Sequence, residues 1–323
     1  MKAIVIREYG GPKVLAYEDA PDPTPGDGEI VVDQTMIGVN FADVMMRQGK
    51  YFIKPELPAV PGFEGAGTVT AVGAGVEGIS VGCRVGYVMT LGAYAEKNVI
   101  PAANAVLLPE AISDEVAGSS LLRGLTAHYL VTSTYAVSES DTVLVHSAAG
   151  GVGTLLVQWA KHLGSTVIGT VGSSEKADFA TLLGCDHVIN YTTQDFATEV
   201  LAFTKEKGAS VVYDAVGQTT FDGNIEALAM RGYFVNYGAS SGPLPSIDAG
   251  QINSKSLFFN KSSLPHYVMT EEERGTRAKA FFDLVAKGVV DPKIGHVYPL
   301  AEAAQAHTDI ASRKTTGSVA LKV

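Results

Sequence analysis

The chain contains almost no cysteine: Cys83 and Cys185 are the only two in 323 residues. Two thiols cannot build a disulfide framework or a cysteine-rich zinc site, and both fit a reducing compartment as small buried hydrophobes. None of the seven histidines lies three or four residues from another. Charged residues make up only 18% of the chain and sum to a net charge of −10. That balance argues against nucleic-acid partners, whose binding rests on phosphate neutralisation by Lys and Arg. No uncharged apolar run reaches the length of a membrane span. The opening Met1-Lys2-Ala3-Ile4-Val5-Ile6 reads as a short strand broken by Arg7-Glu8, with no signal-peptide apolar region. The expectation is a cytoplasmic protein without a membrane partner, in which the sequons at Asn190 and Asn260 are incidental. A hydrophobic content of 46% over this length leaves room for about two ordinary domains.

The most informative stretch is His146-Ser147-Ala148-Ala149-Gly150-Gly151-Val152-Gly153. The β-prone run Thr142–Val145 precedes it, and Thr154–Leu163 follows with enough length for three helical turns. Strand, glycine turn and helix in that order make a dinucleotide-phosphate site. Glycines let the backbone approach the pyrophosphate, and the helix N-terminus offers free N–H groups and partial positive charge. Ala148 stands where the usual first glycine would be, and a purely structural turn is the plain alternative.

The next strand, Thr166–Val171, indicates which cofactor is held. A site for NAD places Asp or Glu at that strand's tip to bind the ribose 2′-hydroxyl. Here Gly172-Ser173-Ser174-Glu175-Lys176 follows instead. Ser173 caps the next helix and Lys176 adds a positive charge, which favours a 2′-phosphate and therefore NADPH. Glu175 opposes that charge unless it faces solvent from the first helical turn.

Residues 1–120 read as short strands separated by Pro and Gly, including 29–32, 67–72 and 84–88, in a β-rich barrel. From about residue 121, strands at 143–146, 166–171, 187–190, 210–215, 232–237 and 256–260 alternate with helices at 151–163, 175–183, 194–206 and 219–230. The expectation is an α/β protein whose doubly wound Rossmann domain carries a six-stranded parallel sheet, with ligand over the C-terminal strand ends. Segment 271–287 reads as an amphipathic helix. The tail rejoins the first domain, giving a discontinuous domain of 1–120 and 264–323 around a Rossmann domain of 121–263.

Five dispersed motifs carry a family resemblance: Gly38-Val39-Asn40-Phe41-Ala42-Asp43, Pro61–Gly67, the Ala148–Gly153 turn, Val212–Gly217 and Ser312–Gly317. In that order, from Met1 to the C-terminus, they resemble the zinc-independent quinone oxidoreductases, the zeta-crystallin-like branch of the medium-chain dehydrogenase/reductase superfamily. Zinc-dependent relatives carry a cysteine ligand where this chain has Asn40 and a histidine where it has Phe63. A carboxamide and a phenyl ring cannot replace a thiolate and an imidazole on zinc. The four-cysteine structural lobe is missing as well, so no zinc is expected. Without a Lewis acid, electron-poor acceptors such as quinones suit the site better than alcohols.

The resemblance implies a GroES-like catalytic domain and hydride transfer from NADPH to a quinone, with solvent or a bound water supplying protons. It places Asn40 near the nicotinamide ribose and Tyr51 near the ring as the catalytic pair. Met45 stands at the substrate position where the family often has a second tyrosine. Thr126 and Tyr129 line the nicotinamide side, and Gly150, Gly151, Val152 and Gly153 the pyrophosphate. Gly172, Ser173, Lys176, Tyr191 and Arg313 surround the adenosine 2′-phosphate. Val216, Gly217, Gly238, Ala239 and Ser240 form the later-strand edge, and Phe259 and Asn260 reach the carboxamide end. It also implies a homodimer built on the edge strand near 256–260, which would hide that edge.

Plainer roles compete with several of these. Tyr51 reads equally as a core tyrosine, Lys176 as a surface lysine, Arg313 as a tail ion pair and Asn40 as a partner for backbone groups. A reductase of α,β-unsaturated carbonyls would use the same cofactor and geometry, and a non-catalytic crystallin-like or RNA-binding role is the alternative from another class. Gly238-Ala239-Ser240-Ser241-Gly242 matches a serine-hydrolase elbow, but that elbow needs an immediate helix and Pro243-Leu244-Pro245 breaks any helix there.

Overall fold

Alternating buried and exposed side chains make the first hundred residues a set of antiparallel strands in the computed structural model, which describes residues 1–323. β1 (Lys2–Val5) and β2 (Ala16–Asp19) form a small two-stranded sheet. β3 (Glu29–Val39) leads into α1 (Phe41–Arg47), and β4 (Glu64–Val72), β5 (Arg84–Val88), β6 (Lys97–Pro101) and β7 (Ala105–Leu107) follow. β3 pairs with both β4 and β6, β4 with β5, and β5 with β7, all antiparallel. Expected as 29–32, β3 instead runs eleven residues, because Ile37 and Val39 join the same core as Ile30 and Val32 beyond the polar Asp33-Gln34-Thr35. α2 (Asp114–Tyr129) comes next.

The following segment alternates strand and helix. It runs β8 (Thr142–Val145), α3 (Gly151–His162), β9 (Thr166–Val171), α4 (Ser174–Leu182), β10 (His187–Asn190), α5 (Phe196–Phe203), β11 (Ala209–Asp214), α6 (Phe221–Ala227), β12 (Leu228–Asn236), α7 (Ala249–Asn253) and β13 (Phe258–Lys261). The six strands are parallel in the order β10-β9-β8-β11-β12-β13. Leu144, Ile168, Ile189, Val212 and Phe234 fill a core on that sheet. The expected GroES-like and doubly wound α/β architecture is therefore present.

Several element boundaries differ from the sequence reading for local reasons. α5 starts only after Asp195, whose carboxylate accepts from Thr198 N at 2.9 Å, and its turn cannot pass Lys205 and Glu206, which are left-handed. α6 stops at Ala227 because Leu228 is extended and pairs with Ala209 of β11. β13 begins two residues late because Ser256 is left-handed, at φ 52°.

The chain then adds α8 (Glu271–Ala286), β14 (Ile294–Pro299), α9 (Ala303–Ala311) and β15 (Ser318–Lys322). α8 is amphipathic, burying Ala278, Phe281 and Phe282 behind a charged outer face. β15 lies antiparallel to β3, and β14 lies parallel beside it. Two compact units result: Met1–Gly124 with Met269–Ala286 and Pro292–Val323, and Leu125–Val268 with Lys287–Asp291. Reciprocal bonds between Gln158 and the backbone of Asp291, at 2.9 and 2.8 Å, tie the last segment into the second unit. No helix is long and apolar enough to cross a membrane.

Close strand approach makes Gly67 necessary. A Cβ there would fall on the Asp33 carbonyl oxygen and lie 2.8 Å from Gln34 Cα. Gly67→Ala should lower stability by about 1–3 kcal/mol, read as a lower urea midpoint at unchanged m-value. Gly275→Ala on α8, whose Cβ meets open space, should raise the midpoint instead.

Candidate active site

In the second unit the turn between β8 and α3 is held from below. Ala148 N donates to Thr170 O of β9 at 3.1 Å, and Ser147 adopts a left-handed φ of 55° to make the bend. Beneath it His146 is buried, with Nδ1 2.9 Å from Thr170 Oγ1 and Nε2 2.7 Å from Asn224 Oδ1. Burial lowers its pKa, so it braces the turn as a neutral imidazole. Gly150 opens α3 with no capping side chain. The N–H groups of Gly151, Val152 and Gly153 therefore face outward at the positive end of a twelve-residue helix, a ready anion site.

The tips of β9 and β10 bring four of the expected residues together. Ser173 Oγ accepts from Lys176 N at 3.3 Å and caps α4, as its position suggests. The Tyr191 ring lies directly against Gly172, where a Cβ would stand 2.5 Å from the phenol oxygen. Glu175 is exposed, so the acid that complicates the sequence reading faces water. Arg313 is on the first unit, left-handed at φ 59° just beyond α9.

At the tips of β11 to β13, Asp214 organises the loops. It is fully buried and accepts from Val216 N at 2.7 Å, Gly217 N at 3.2 Å, Thr220 Oγ1 at 3.1 Å and Asn236 Nδ2 at 3.0 Å. Gly238, Ala239 and Ser240 form a loop, not a helix, with Ser240 N bonded to Ala215 O at 3.2 Å. Asn236 Oδ1 accepts from Lys261 Nζ. Phe259 packs edge-on against Phe234 at 5.3 Å, whereas Asn260 Oδ1 is a buried acceptor with no partner. Thr126 is buried; Tyr129 is stacked face to face on Tyr267 at 4.1 Å, and its hydroxyl is 3.3 Å from Ser262 Oγ.

In the first unit Asn40 closes β3 and opens α1. Its backbone N–H donates to Asp43 Oδ2 at 2.6 Å, and its carboxamide donates to Glu64 Oε2 at 2.9 Å. Glu64 Oε1 accepts from Leu122 N at 2.6 Å, with Arg123 Nη1 3.9 Å from Oε2. Burial pushes Glu64 above the ordinary carboxylate range, while the Arg123 charge and the Asn40 bond pull it back. Tyr51 is half-buried between Phe52 and Phe63, at ring distances of 4.4 and 5.6 Å. Burial and then the Asp43 charge push its phenol up to about 12. Met45 is half-buried on α1.

A buried polar group around Asp43 escapes sequence reading. Asp43, Arg47, Tyr94, Arg123 and His307 all lie in the interior. Asn40 and Asp43 have the N-cap-to-N3 spacing of a reciprocal cap, which is a sequence signal. Tyr94 and His307, 213 residues apart, leave none.

Known proteins match along the whole chain. Residues 26–137 match the alcohol dehydrogenase GroES-like domain family and residues 151–286 the zinc-binding dehydrogenase family. The quinone oxidoreductase of Pseudomonas aeruginosa is 42% identical over 99% of both chains, and the 2-haloacrylate reductase of a Burkholderia species 41% identical over 99% of this chain and 98% of that one. The structure of Escherichia coli quinone oxidoreductase complexed with NADPH superposes with a TM-score of 0.97 at 40% identity, covering all of both chains. A GroES-like unit with a doubly wound nucleotide-type unit defines the medium-chain dehydrogenase/reductase architecture. Within it, the chain belongs to the quinone oxidoreductase family.

Asp214→Ala would leave several buried donors without an acceptor. The expected loss is about 3 kcal/mol or more, checked by urea unfolding, and nucleotide affinity should fall with it as the Val216–Gly217 turn loosens.

Proposed function

We propose that this protein is an NADPH-dependent quinone reductase that works without zinc. The observation carrying the cofactor half is the β9 tip, where Gly172 and a capping Ser173 stand in place of a ribose-binding acid and Lys176 opens α4. When bound, the reduced nicotinamide supplies the hydride. Gly150, Gly151, Val152 and Gly153 would hold the pyrophosphate, and Ser173, Lys176 and Tyr191 the 2′-phosphate. Val216, Gly217, Gly238, Ala239 and Ser240 would edge the nicotinamide end, together with Thr126 and Tyr129. The bare Asn260 Oδ1 is a fitting acceptor for a carboxamide N–H, with Phe259 beside it.

The residues do not fit a catalytic zinc. Asn40 spends its carboxamide on Glu64, Glu64 has both oxygens engaged, and Phe63 packs on Tyr51. Catalysis then rests on holding the acceptor in place and excluding water, for which the apolar Phe63–Tyr51–Phe52 wall and Met45 are suited. The 41% identical 2-haloacrylate reductase favours a second reading, reduction of an electron-poor carbon–carbon double bond with the same cofactor.

The reading extends to assembly and location. β13 ends the parallel sheet with Phe258 50% exposed and stacked on Tyr233 at 4.4 Å, a face suited to a second copy in a homodimer. Free Cys83 and Cys185 suit the cytoplasm.

Metal-stripped protein should bind NADPH far more tightly than NADH and oxidise it on addition of 1,4-benzoquinone, with no response to added zinc. Replacing Lys176 by Ala should weaken NADPH roughly 10-fold while sparing NADH. Faster turnover of 2-chloroacrylate than of any quinone would transfer the assignment to the second reading. Phe258→Glu should convert the dimer to a monomer in sedimentation.

A further inference from the structure

Two rows of side chains cross one face of the parallel sheet in the second unit, and they differ in kind. Ile168, Leu144, Val212, Phe234 and Phe259 stand level with one another on β9, β8, β11, β12 and β13. All five belong to the apolar core or pack against it. Two residues further on, side-chain alternation brings the next row to the same face. That row is Thr170, His146, Asp214, Asn236 and Lys261, and every member is polar. Asp214 is paired with Asn236, and Asn236 with Lys261, in the strand register. The row lies directly beneath the loops that edge the nucleotide site.

Hydrogen bonds give the row a direction. Asn236 Nδ2 donates to the Asp214 backbone oxygen at 3.1 Å and to its Oδ2 at 3.0 Å. Both are acceptors, so the amide has one allowed orientation, with Oδ1 turned towards β13. Asn236 has no exposed surface, and the donor that meets Oδ1 is Lys261 Nζ. The same ammonium lies 3.5 Å from Gly238 O, in the loop after β12.

Lys261 is also the one cation in the row. Asp214 takes its other bonds from uncharged groups, the Val216 and Gly217 N–H and the Thr220 hydroxyl. Burial keeps His146 neutral, and its Nε2 faces Asn224. A carboxylate with no exposed surface is costly unless a positive charge compensates it. Lys261 stands one amide away, close enough for its ammonium to feel the Asp214 charge. The loops above move together, because Gly217 and Gly242 form a parallel bridge and Ser241 Oγ donates to Val216 O at 2.9 Å.

We propose that Lys261 is a positioning residue for the nicotinamide half of the bound nucleotide, acting through Asn236 and Asp214 on the loops at 216–217 and 238–240. The inference rests on the NADPH reading above. It gives the two lysines separate tasks. Lys176 stands on the adenosine 2′-phosphate side and distinguishes NADPH from NADH. Lys261 supports the half that both nucleotides share.

The test measures binding of NADPH, NADH and 2′,5′-ADP to wild-type protein, Lys261→Met and Lys261→Arg. Lys261 is exposed, so neither variant disturbs the core. Lys261→Met keeps the apolar stem and removes the charged donor. It should weaken NADPH and NADH by the same factor, roughly 10-fold. Binding of 2′,5′-ADP, which carries no nicotinamide, should be unchanged, and the fluorescence of saturating NADPH should differ from that on wild-type protein. Lys261→Arg restores charge and donor and should recover both affinity and fluorescence. Equal weakening of 2′,5′-ADP would mark a general loosening of the unit and overturn the proposal. A loss confined to NADPH would place Lys261 at the 2′-phosphate and overturn it too, as would a Lys261→Arg variant no better than Lys261→Met. Wild-type protein that binds neither NADPH nor NADH overturns the NADPH reading and the proposal with it. Tight NADPH binding that Lys261→Met leaves unchanged overturns the positioning role alone.

Discussion

A carboxylate with no exposed surface ties three parts of the first unit together. Glu64 sits at the start of β4 and accepts from Asn40, where β3 ends, and from Leu122 inside α2. Arg123 beside it donates to the carbonyls of Ser119 and Val39, so charge balance and backbone satisfaction are achieved by the same few atoms. A buried ion with a missing partner is far more costly than one fully bonded. Removing any member would therefore disturb the others. The position of Asn40, and through it of α1 and Tyr51, follows from this arrangement.

The second unit obeys a different constraint, the direction of its strands. Because all six are parallel, every β-to-α loop emerges at the same end. Strand order departs in opposite directions from β8 and β11, which leaves room between their loops for a ligand. Three loops there are fixed by different means: Ala148 N on Thr170 O, Ser173 on Lys176 N, and the Asp214 carboxylate on Val216 and Gly217. One of these bonds reaches the neighbouring strand and the other two close their own loops, so short-range hydrogen bonding holds this edge in place.

Local physics made much of this legible. The strand–turn–helix around Gly150, the six-strand alternation and the Ser173 cap depend on residues close in sequence, and period and turn chemistry reveal them. The ends of α5 and α6 were less legible, because left-handed Lys205 and Glu206 and the pairing of Leu228 with Ala209 decide them. The polar interior was legible only at Asn40 and Asp43. Tyr94, Arg123 and His307 read in sequence as an ordinary aromatic, a helix cation and a tail histidine. What makes them a group is tertiary enclosure, which no window of residues records. Phe63 has the same history: its place in the sequence says only that a metal ligand is missing, whereas its packing shows that it supports Tyr51.

The discontinuous first unit has a consequence for how the protein is made. β15, the last strand of the chain, lies against β3, which is synthesised nearly three hundred residues earlier. While the chain grows, β3 has β4 and β6 beside it but no neighbour along its remaining edge from Met36 to Val39. The nucleotide-type unit lies almost wholly in one continuous stretch and has all six strands before residue 262 emerges. Ribosomal synthesis thus favours completing the inserted unit first, with the N-terminal sheet waiting for its final strand. A premature stop codon ahead of β15 would leave a finished Rossmann sheet in a chain that also carries an open, aggregation-prone edge.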